Sequence, residues 1–307
     1  MSASGRASRT CGWMVVWEEV CYISCHKHTQ SADDADFNLD NLLVASTYRD
    51  ILASIFSAVK NKATVRLNSE VTKIENNPTG TVDIEAAGGY QGTFDGVIVT
   101  APLGWLKRNT HGFGPPLPPR ISTAIRSLGY GTLEKVFIRF PKAFWEDDKG
   151  PSFPVESLFL SPAYASDTNP AKWRTEIISF SGLPEPLSQP VIMFFVYGQW
   201  GRHITGLIRG MKQDSEEYRQ TLDEHFRPYY SKLPNYSPDS AECQPAAYMS
   251  TDWQNDGFAG YGSFTNQPVN SGDCAEHFEA LRKGTWEKAV GFGLLASTRR
   301  HPGDLGR

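Results

Sequence analysis

The sequence has few cysteines, little net charge and no long apolar run, and each shortage excludes a class of protein. Its five cysteines are odd in number and unevenly spread, which argues against a framework of disulfides. A net charge of -4 provides no overall field for nucleic acid or an anionic membrane, so we expect neither as a direct partner. No run is apolar and long enough to span a bilayer, and the first residues lack the apolar centre of a secretory signal. We therefore expect an intracellular protein.

One cluster of possible metal ligands lies near the start of the sequence. Cys21, Cys25, His26 and His28 fall within a short segment. Structural zinc sites usually combine two separated pairs of ligands, and no distant pair accompanies this cluster. We therefore predict no metal site. A small metal-binding module remains the alternative, and a metal analysis of the purified chain would test it.

Apolar residues recur at helical spacing in three segments. The spacing predicts helices at residues 46–62, 121–128 and 215–226. Ser46 is expected to cap the first of them. Pro228 is expected to end the third, because proline has no amide hydrogen to continue a helix.

Short β-branched segments, separated by glycine, proline and asparagine, predict strands. The predicted strands lie in residues 63–75, 81–89, 90–102, 176–180 and 191–197. The first three are expected to form an antiparallel meander whose last strand is 97–100. With 40% hydrophobic residues the chain can fill one large or two ordinary cores. These elements predict an α+β fold, a mixed β-sheet flanked by helices.

Lys135 is the most informative single position. It stands between a glycine-containing turn at residues 128–131 and an apolar strand at 136–140. An ammonium at the entrance of such a strand would lie near a core rather than in open water. Fully buried lysines are rare unless the charge is paired or used. From the residues alone we favour a lysine whose charged end reaches the surface, with a catalytic lysine as the alternative.

Residues 113–145, FGPPLPPRISTAIRSLGYGTLEKVFIRFPKAFW, contain in order a proline-rich link, an LGYG turn, a lysine and an FW ending. An apolar strand and a T-x-P turn precede this link, in VIVTAPLGWL at residues 97–106. The order of these motifs resembles the flavin-dependent amine oxidases, the family of polyamine oxidases, monoamine oxidases and lysine-specific histone demethylases. The resemblance covers residues 38–145 and, more loosely, 191–290.

The resemblance implies roles for four residues. The family lysine that matches Lys135 faces the flavin through a bound water and acts in oxidation of a C–N bond by hydride transfer. Val71 matches a position whose backbone meets the adenine end of FAD. Trp253 and Phe264 match the aromatic pair at the flavin face, where Phe264 keeps a ring but lacks the hydroxyl of the common tyrosine. FAD is thus the implied cofactor, O2 the electron acceptor, and a polyamine, another amine or a methyl-lysine peptide the substrate.

The resemblance also implies a division of the chain, with strands of an FAD-binding α/β domain beside an amine-substrate domain. The predicted parts are a leader at 1–37, a helix and meander on the cofactor side at 38–105, the amine-substrate domain at 106–250, a return segment at 251–290 and an irregular tail at 291–307.

Two family motifs are missing from the sequence. A G-x-G-x-x-G turn, whose amides hold the cofactor diphosphate, does not occur, and the strings GYGTLE at Gly129 and GYGSFT at Gly260 lack the last glycine. The closing turn of A-G-E-H-T type is also absent. When residues 289–301 are translated back into permitted codons and read in a shifted frame, one solution contains A-S-G-E-H-T. A frame change just before Ala289 is therefore one hypothesis, which sequencing of the transcript would test.

We therefore predict a shortened member of the family, a fragment or variant of an FAD-dependent amine oxidase that is impaired alone because its flavin-binding motifs are missing. The alternative is an inactive amine-binding or regulatory remnant that pairs with a full-length relative. Among enzymes, a flavin oxidase of amino acids or a carotenoid-type desaturase is the second choice.

Overall fold

The computed structural model describes residues 48–160, 162–269, 272–285 and 290–292, together with strand residues 16–17 and 20–21. The predicted cap Ser46 and the possible metal ligands Cys25, His26 and His28 lie outside these residues.

In chain order, the elements are β1 (Val16–Trp17), β2 (Val20–Cys21), α1 (Tyr48–Ser57), β3 (Val71–Asn76), β4 (Val82–Ala86), β5 (Tyr90–Phe94), β6 (Val97–Val99), α2 (Leu103–Asn109), β7 (Phe113–Gly114), α3 (Pro119–Ser127), β8 (Gly129–Gly131), β9 (Leu133–Arg139), β10 (Glu156–Phe159), β11 (Thr175–Ser179), β12 (Val191–Tyr197), α4 (Gly198–Leu207), α5 (Glu216–Tyr230), β13 (Ala247–Ser250), β14 (Phe264–Asn266), α6 (Cys274–Lys283) and β15 (Val290–Phe292).

These elements group into two compact units. The first unit contains residues 1–41, 66–130 and 265–307, and the second contains residues 42–65 and 131–264. Each unit has its own cluster of buried apolar side chains. The domain boundaries implied by the resemblance stay a prediction.

The first unit contains a four-stranded sheet in the order β5-β4-β3-β7. β3, β4 and β5 are antiparallel neighbours, as the predicted meander requires, whereas β7 pairs parallel to β3. The expectation that the meander ends at residues 97–100 is wrong, because β6 leaves it and pairs parallel with β15. The sequence of β6, Val-Ile-Val, is continuously apolar, which is typical of parallel strands rather than of a half-exposed antiparallel one.

Helices α2, α3 and α6 cover the core of the first unit. Ile121, Ala124 and Ile125 recur along one side of α3 and are almost completely buried. Leu281 of α6 belongs to the same core. The guanidinium of Arg120 donates to the carbonyl oxygen of Ala280 at 3.1 Å, which ties α3 to α6. The proline-rich link therefore leads into a helix that is held by both packing and hydrogen bonds.

The second unit contains a five-stranded antiparallel sheet in the order β10-β11-β12-β9-β13. Its buried face packs with α4 and α5 through aromatic and aliphatic side chains, among them Phe194, Trp200 and Phe226. Ring pairs such as Phe194 and Phe226, with centroids 4.9 Å apart, add favourable aromatic contacts to this packing. The α+β class with mixed sheets is confirmed, and the parallel pairing occurs in the first unit.

Helix α5 continues past the residue that was expected to stop it. Ser215 caps its start by accepting a hydrogen bond from the amide of Tyr218 at 3.2 Å, but the helix runs through Pro228 to Tyr230. A proline in the last turn removes only one helical hydrogen bond. Burial of Tyr229 and Tyr230 compensates for that loss, so packing decides where the helix ends.

Helix α1 confirms the first predicted helix. None of its residues is buried, and Leu52 and Ile55 are 65% and 66% exposed. Among the helices of the described residues, none is long and apolar enough to cross a membrane.

Helices α4 and α5 meet at a pair of histidines that makes stability depend on pH. The rings of His203 and His225 lie 5.6 Å apart, measured between centroids. Partial desolvation, together with the neighbouring His225, lowers the pKa of His203. His203 therefore takes up its proton at a higher pH in the unfolded chain than in the folded chain. Stability from this group is present above about pH 6.5 and is lost as the pH falls below that value.

We expect the free energy of unfolding of the wild type to fall between about pH 7 and pH 5, as measured by urea denaturation. His203→Gln should reduce this slope, because it removes the group whose pKa is lowered beside His225. His111→Gln, at a histidine of the first unit, is the matched control. Equal pH slopes for the two variants would contradict the role of the His203–His225 pair.

Candidate active site

Lys135 is the third residue of β9 and not a residue at the strand entrance. The ladder between β9 and β12 begins earlier than predicted, with Leu133 opposite Tyr197. Side chains alternate along the strand, so Glu134, Val136 and Ile138 point into the core with 0% exposure. Lys135 lies on the opposite face, where it is half-buried. Its charged end is therefore separated from the core by the sheet itself.

A row of side chains crosses the sheet on the face that carries Lys135. Lys135 is directly opposite Phe195 of β12, and Phe195 is directly opposite Glu176 of β11. Residues opposite each other in an antiparallel pair project from the same face. The Nζ atom of Lys135 lies 5.6 Å from the ring centroid of Phe195, within the range of a cation–π contact. We refer to Lys135, Phe195 and Glu176 as the lysine row.

The end of the lysine row is an acidic group held by a tyrosine. The hydroxyl of Tyr197 donates to Oε2 of Glu176 at 3.1 Å, and its ring stacks on Phe195 with centroids 5.9 Å apart. Burial raises the pKa of Glu176, the hydrogen bond from Tyr197 opposes this, and the like charge of Glu156 raises it further. Burial and the negative charge of Glu176 also raise the pKa of the Tyr197 hydroxyl. Tyr197 therefore remains a hydrogen-bond donor at neutral pH.

The segment that carries Trp253 is bonded to the backbone of Lys135. Thr251 donates its amide to the carbonyl oxygen of Lys135 at 2.9 Å, and its hydroxyl accepts from the amide of Lys135 at 2.9 Å. The chain then turns through a short 3-10 helix, Trp253–Asn255. The side chain of Trp253 is 45% exposed. The structure thus brings the predicted aromatic residue to the strand that carries the predicted lysine.

The carboxylate of Glu134 joins the same two segments from the buried side. It accepts hydrogen bonds from the hydroxyl of Thr251 at 2.6 Å, the amide of Trp253 at 3.3 Å and the amide of Gln254 at 3.1 Å. Burial raises the pKa of this carboxyl, and the three hydrogen bonds oppose the rise without cancelling it. Sequence reasoning missed Glu134, although an acidic residue within an apolar strand pattern was a usable signal.

Phe264 follows a serine that is bonded to the approach to β9. Ser263 donates its amide to the carbonyl oxygen of Gly131 at 2.9 Å, and its hydroxyl accepts from the amide of Leu133 at 2.6 Å. Phe264 itself is half-buried at the start of β14. Both aromatic positions predicted from the sequence therefore lie next to residues that hydrogen-bond to the segment around Lys135.

Val71 belongs to the first unit, where it begins β3. It lines a cavity of about 110 Å³. The other residues at this cavity include Thr72, Trp105, Asn109 and Phe113. Trp105 contributes an aromatic residue to this lining, and Thr72 and Asn109 contribute polar ones. It is large enough for a single ring system and much smaller than the sites of about 300–1,000 Å³ that hold drug-sized ligands.

The alternative metal site near the start of the chain falls mostly outside the described residues. Cys21 is the second residue of β2, and Cys25, His26 and His28 are not described. Within the described part of the chain, no group of three or more histidine, cysteine or acidic side chains is arranged to hold a metal ion.

Comparison with known proteins shows the family. The family profile described as "Flavin containing amine oxidoreductase" matches residues 17–285, which is most of the chain. The lysine-specific histone demethylase 1 homolog 3 of Arabidopsis thaliana is 27% identical over 238 residues, which are 78% of this chain and 13% of that protein. The probable polyamine oxidase 4 of Arabidopsis thaliana is 28% identical over 192 residues, or 62% of this chain and 32% of that protein.

A third relative is the peroxisomal N(1)-acetyl-spermine/spermidine oxidase of Homo sapiens, with 33% identity over 38% of this chain and 23% of that protein. The chain thus spans less than a third of the length of these relatives. A solved structure of a putrescine oxidase variant with redesigned cofactor binding has the same fold, with a TM-score of 0.51 and 14% identity. That similarity covers 81% of this chain and 47% of the putrescine oxidase. With its profile match extending from strand β1 to the end of helix α6, this chain belongs to the family of flavin-containing amine oxidoreductases.

Proposed function

We propose that the chain carries the amine-facing part of an FAD-dependent oxidase that acts on a C–N bond of a polyamine or a methylated amine, with O2 as the electron acceptor. The observation that supports this most directly is the environment of Lys135. It stands half-buried on one face of an antiparallel sheet, and the segments carrying Trp253 and Phe264 lie beside its strand through the hydrogen bonds of Thr251 and Ser263.

Each of these residues can perform a distinct physical task. The side chain of Lys135 can hold a water and exchange protons with it, and its Nζ atom lies 5.6 Å from the ring centroid of Phe195. Trp253 and Phe264 offer apolar ring faces that exclude bulk water from the reacting bond. The flavin, when bound, supplies the acceptor for the hydride.

The described residues fit the ring systems of FAD better than they fit its diphosphate. The aromatic residues near Lys135 suit a flat ring, and the cavity at Val71 has room for one base. For the diphosphate, the sequence provides no G-x-G-x-x-G turn, and the turn from β6 to α2 passes through Ala101 and Pro102. Proline has no amide hydrogen to offer a phosphate. We infer that the 307-residue chain alone binds FAD weakly.

The lysine row favours substrates with more than one positive charge. Neighbouring strands are about 4.8 Å apart, so Glu176 lies roughly 10 Å from Lys135 across the sheet. An extended polyamine can place one nitrogen near Lys135 and a second near the carboxylate of Glu176. The aromatic faces of Phe195 and Tyr197 lie between these ends and can contact the aliphatic chain or a cation. The names of the oxidases of polyamines among the relatives agree with this class of substrate.

The alternative function is binding of amines without oxidation, in partnership with a full-length relative. The exposed apolar face of α1 supports this possibility, since Leu52 and Ile55 are more than half exposed. Co-purification of the chain with such a relative, without amine-dependent peroxide release, would favour the alternative.

The first prediction concerns the cofactor. We expect the purified chain to be colourless, because the residues that would hold the diphosphate are missing from its sequence. Absorbance spectroscopy after purification, followed by titration with FAD, measures this directly. Retention of flavin through purification would contradict the inferred weak binding.

The second prediction concerns Lys135. With FAD in large excess, we expect slow peroxide release from spermidine, and Lys135→Met should lower its rate by about 100-fold or more, the usual scale for losing a proton-transfer group. The control is Lys142→Met, because Lys142 is exposed and its Nζ atom lies 3.6 Å from a carboxylate oxygen of Glu242. Equal rates for both variants would exclude Lys135 from the chemistry, and no peroxide from the wild type would favour the binding function.

The third prediction concerns Glu176. Glu176→Gln should weaken spermidine binding about fivefold, since one partly screened charge contact is worth about 1 kcal/mol. Binding of a monoamine such as benzylamine should change little, because it has no second nitrogen to reach Glu176. Calorimetry without FAD measures both affinities, and Glu242→Gln is the exposed control. A similar loss for both amines would contradict a site for the second charge.

A further inference from the structure

Glu134 is a carboxylate in a position that packing alone would give to an apolar residue. It is 0% exposed and alternates with Val136 and Ile138 on the core face of β9. Its described hydrogen-bond partners are a hydroxyl and two backbone amides, none of which is charged. Burying a carboxylate without a positive partner is costly, and an apolar residue of similar volume often serves stability as well. The position of Glu134 therefore indicates a role beyond packing.

The hydrogen bonds of Glu134 form a continuous connection between Lys135 and Trp253. The hydroxyl of Thr251 accepts from the amide of Lys135 and donates to Oε2 of Glu134. The same Oε2 atom accepts from the amide of Trp253, and Oε1 accepts from the amide of Gln254. Every donor to the carboxylate thus comes from the segment that carries Trp253, and the carboxylate sits on the residue adjacent to Lys135.

The far end of this segment has a separate anchor. The side-chain amide of Asn255 donates to the carbonyl oxygen of Thr205 at 2.9 Å, and its oxygen accepts from Arg209 at 2.8 Å. These contacts hold the turn at Asn255 but do not involve the backbone of Trp253. The backbone amide of Trp253 donates instead to the carboxylate of Glu134. The carbonyl oxygen of Trp253 accepts from the amide of Asp256 within the same turn, so Glu134 is a group from outside the turn that can set the position of Trp253.

We propose that Glu134 is a positioning residue that fixes Trp253 relative to Lys135. The proposal rests on the proposed function, in which these two residues face the reacting amine. A carboxylate suits the task because it only accepts hydrogen bonds, and all three of its partners donate. A glutamine at this position has one acceptor oxygen and a donating NH2 group. If the glutamine oxygen accepts from the amide of Gln254 and its NH2 group donates to the Thr251 hydroxyl, no acceptor is left at this side chain for the amide of Trp253. That amide then faces the NH2 group, which is a donor.

The test follows Trp253 in the flavin-free chain. Tryptophan is replaced by 5-fluorotryptophan, and the 19F resonance of Trp253 is assigned with Trp253→Phe. In Glu134→Gln we expect this resonance to shift or broaden. Hydrogen exchange in the peptide containing Trp253 and Gln254 should become about tenfold faster, the equivalent of about 1.4 kcal/mol and the scale of one hydrogen bond to a charged group.

Glu146→Gln is the matched control. Glu146 also accepts three hydrogen bonds, from the amides of Ser152 at 2.6 Å and Phe153 at 2.8 Å and from the hydroxyl of Ser181 at 2.5 Å. Its loop lies elsewhere in the same unit. The control should speed exchange in its own loop and leave the Trp253 resonance unchanged, so a general loss of stability is separated from a change in position.

A second pair of variants tests the connection if Glu134→Gln does not fold. Thr251→Val keeps the shape of the side chain but removes the hydroxyl between Lys135 and Glu134, and it should shift the Trp253 resonance. Thr251→Ser restores a hydroxyl and should restore the resonance. An unchanged resonance in a folded Glu134→Gln or Thr251→Val chain, or an equal change in Glu146→Gln, would overturn the proposal. Because no FAD or amine is present, this result is independent of whether the chain oxidises amines.

Discussion

The alternation of side chains along β9 is the constraint on which the candidate site depends. β9 is paired on both sides, with β12 and with β13, so its register cannot change without disrupting two ladders. Successive residues of a strand point to opposite faces, and a slip by one residue would exchange those faces. Glu134 and Lys135 are consecutive residues of β9, so one of them points into the core and the other to the opposite, half-buried face. The position of the lysine and the position of the buried carboxylate are two consequences of one register.

The core of the second unit stabilises this arrangement. Phe194 and Val196 of β12 lie on the buried face together with Val136 of β9, and all three have 0% exposure. The other face is half-buried at Lys135 and Glu176, although Val191 and Met193 on it are buried, so the two charged groups keep part of their hydration. One face of the sheet thus provides apolar burial and hence stability, whereas the opposite face provides groups that can contact a charged ligand.

Family membership and local geometry support different parts of the functional argument. The profile match places the chain in the family of flavin-containing amine oxidoreductases, and the similarity to a putrescine oxidase variant shows a common fold. Neither identifies the amine. The proposal of a polyamine depends instead on Glu176, which lies two strands from Lys135 on the same face. The proposal of weak FAD binding depends on the absence of a G-x-G-x-x-G turn from the sequence. Substrate preference and cofactor affinity therefore have separate structural causes and can be tested separately.

The sequence by itself determined the α+β class, the helices α3 and α5, the strands β3 to β5 and the family to which the chain belongs. Local spacing carries this information, because helices and strands have different periods. Only the tertiary structure decided that β6 pairs in parallel with β15, that α5 passes Pro228 and that Glu134 bonds to Thr251. Each of these depends on residues that are distant in sequence and meet only after folding. Hydrogen bonds and burial between such residues have no local period, so the sequence pattern around them contains no signal of the partner.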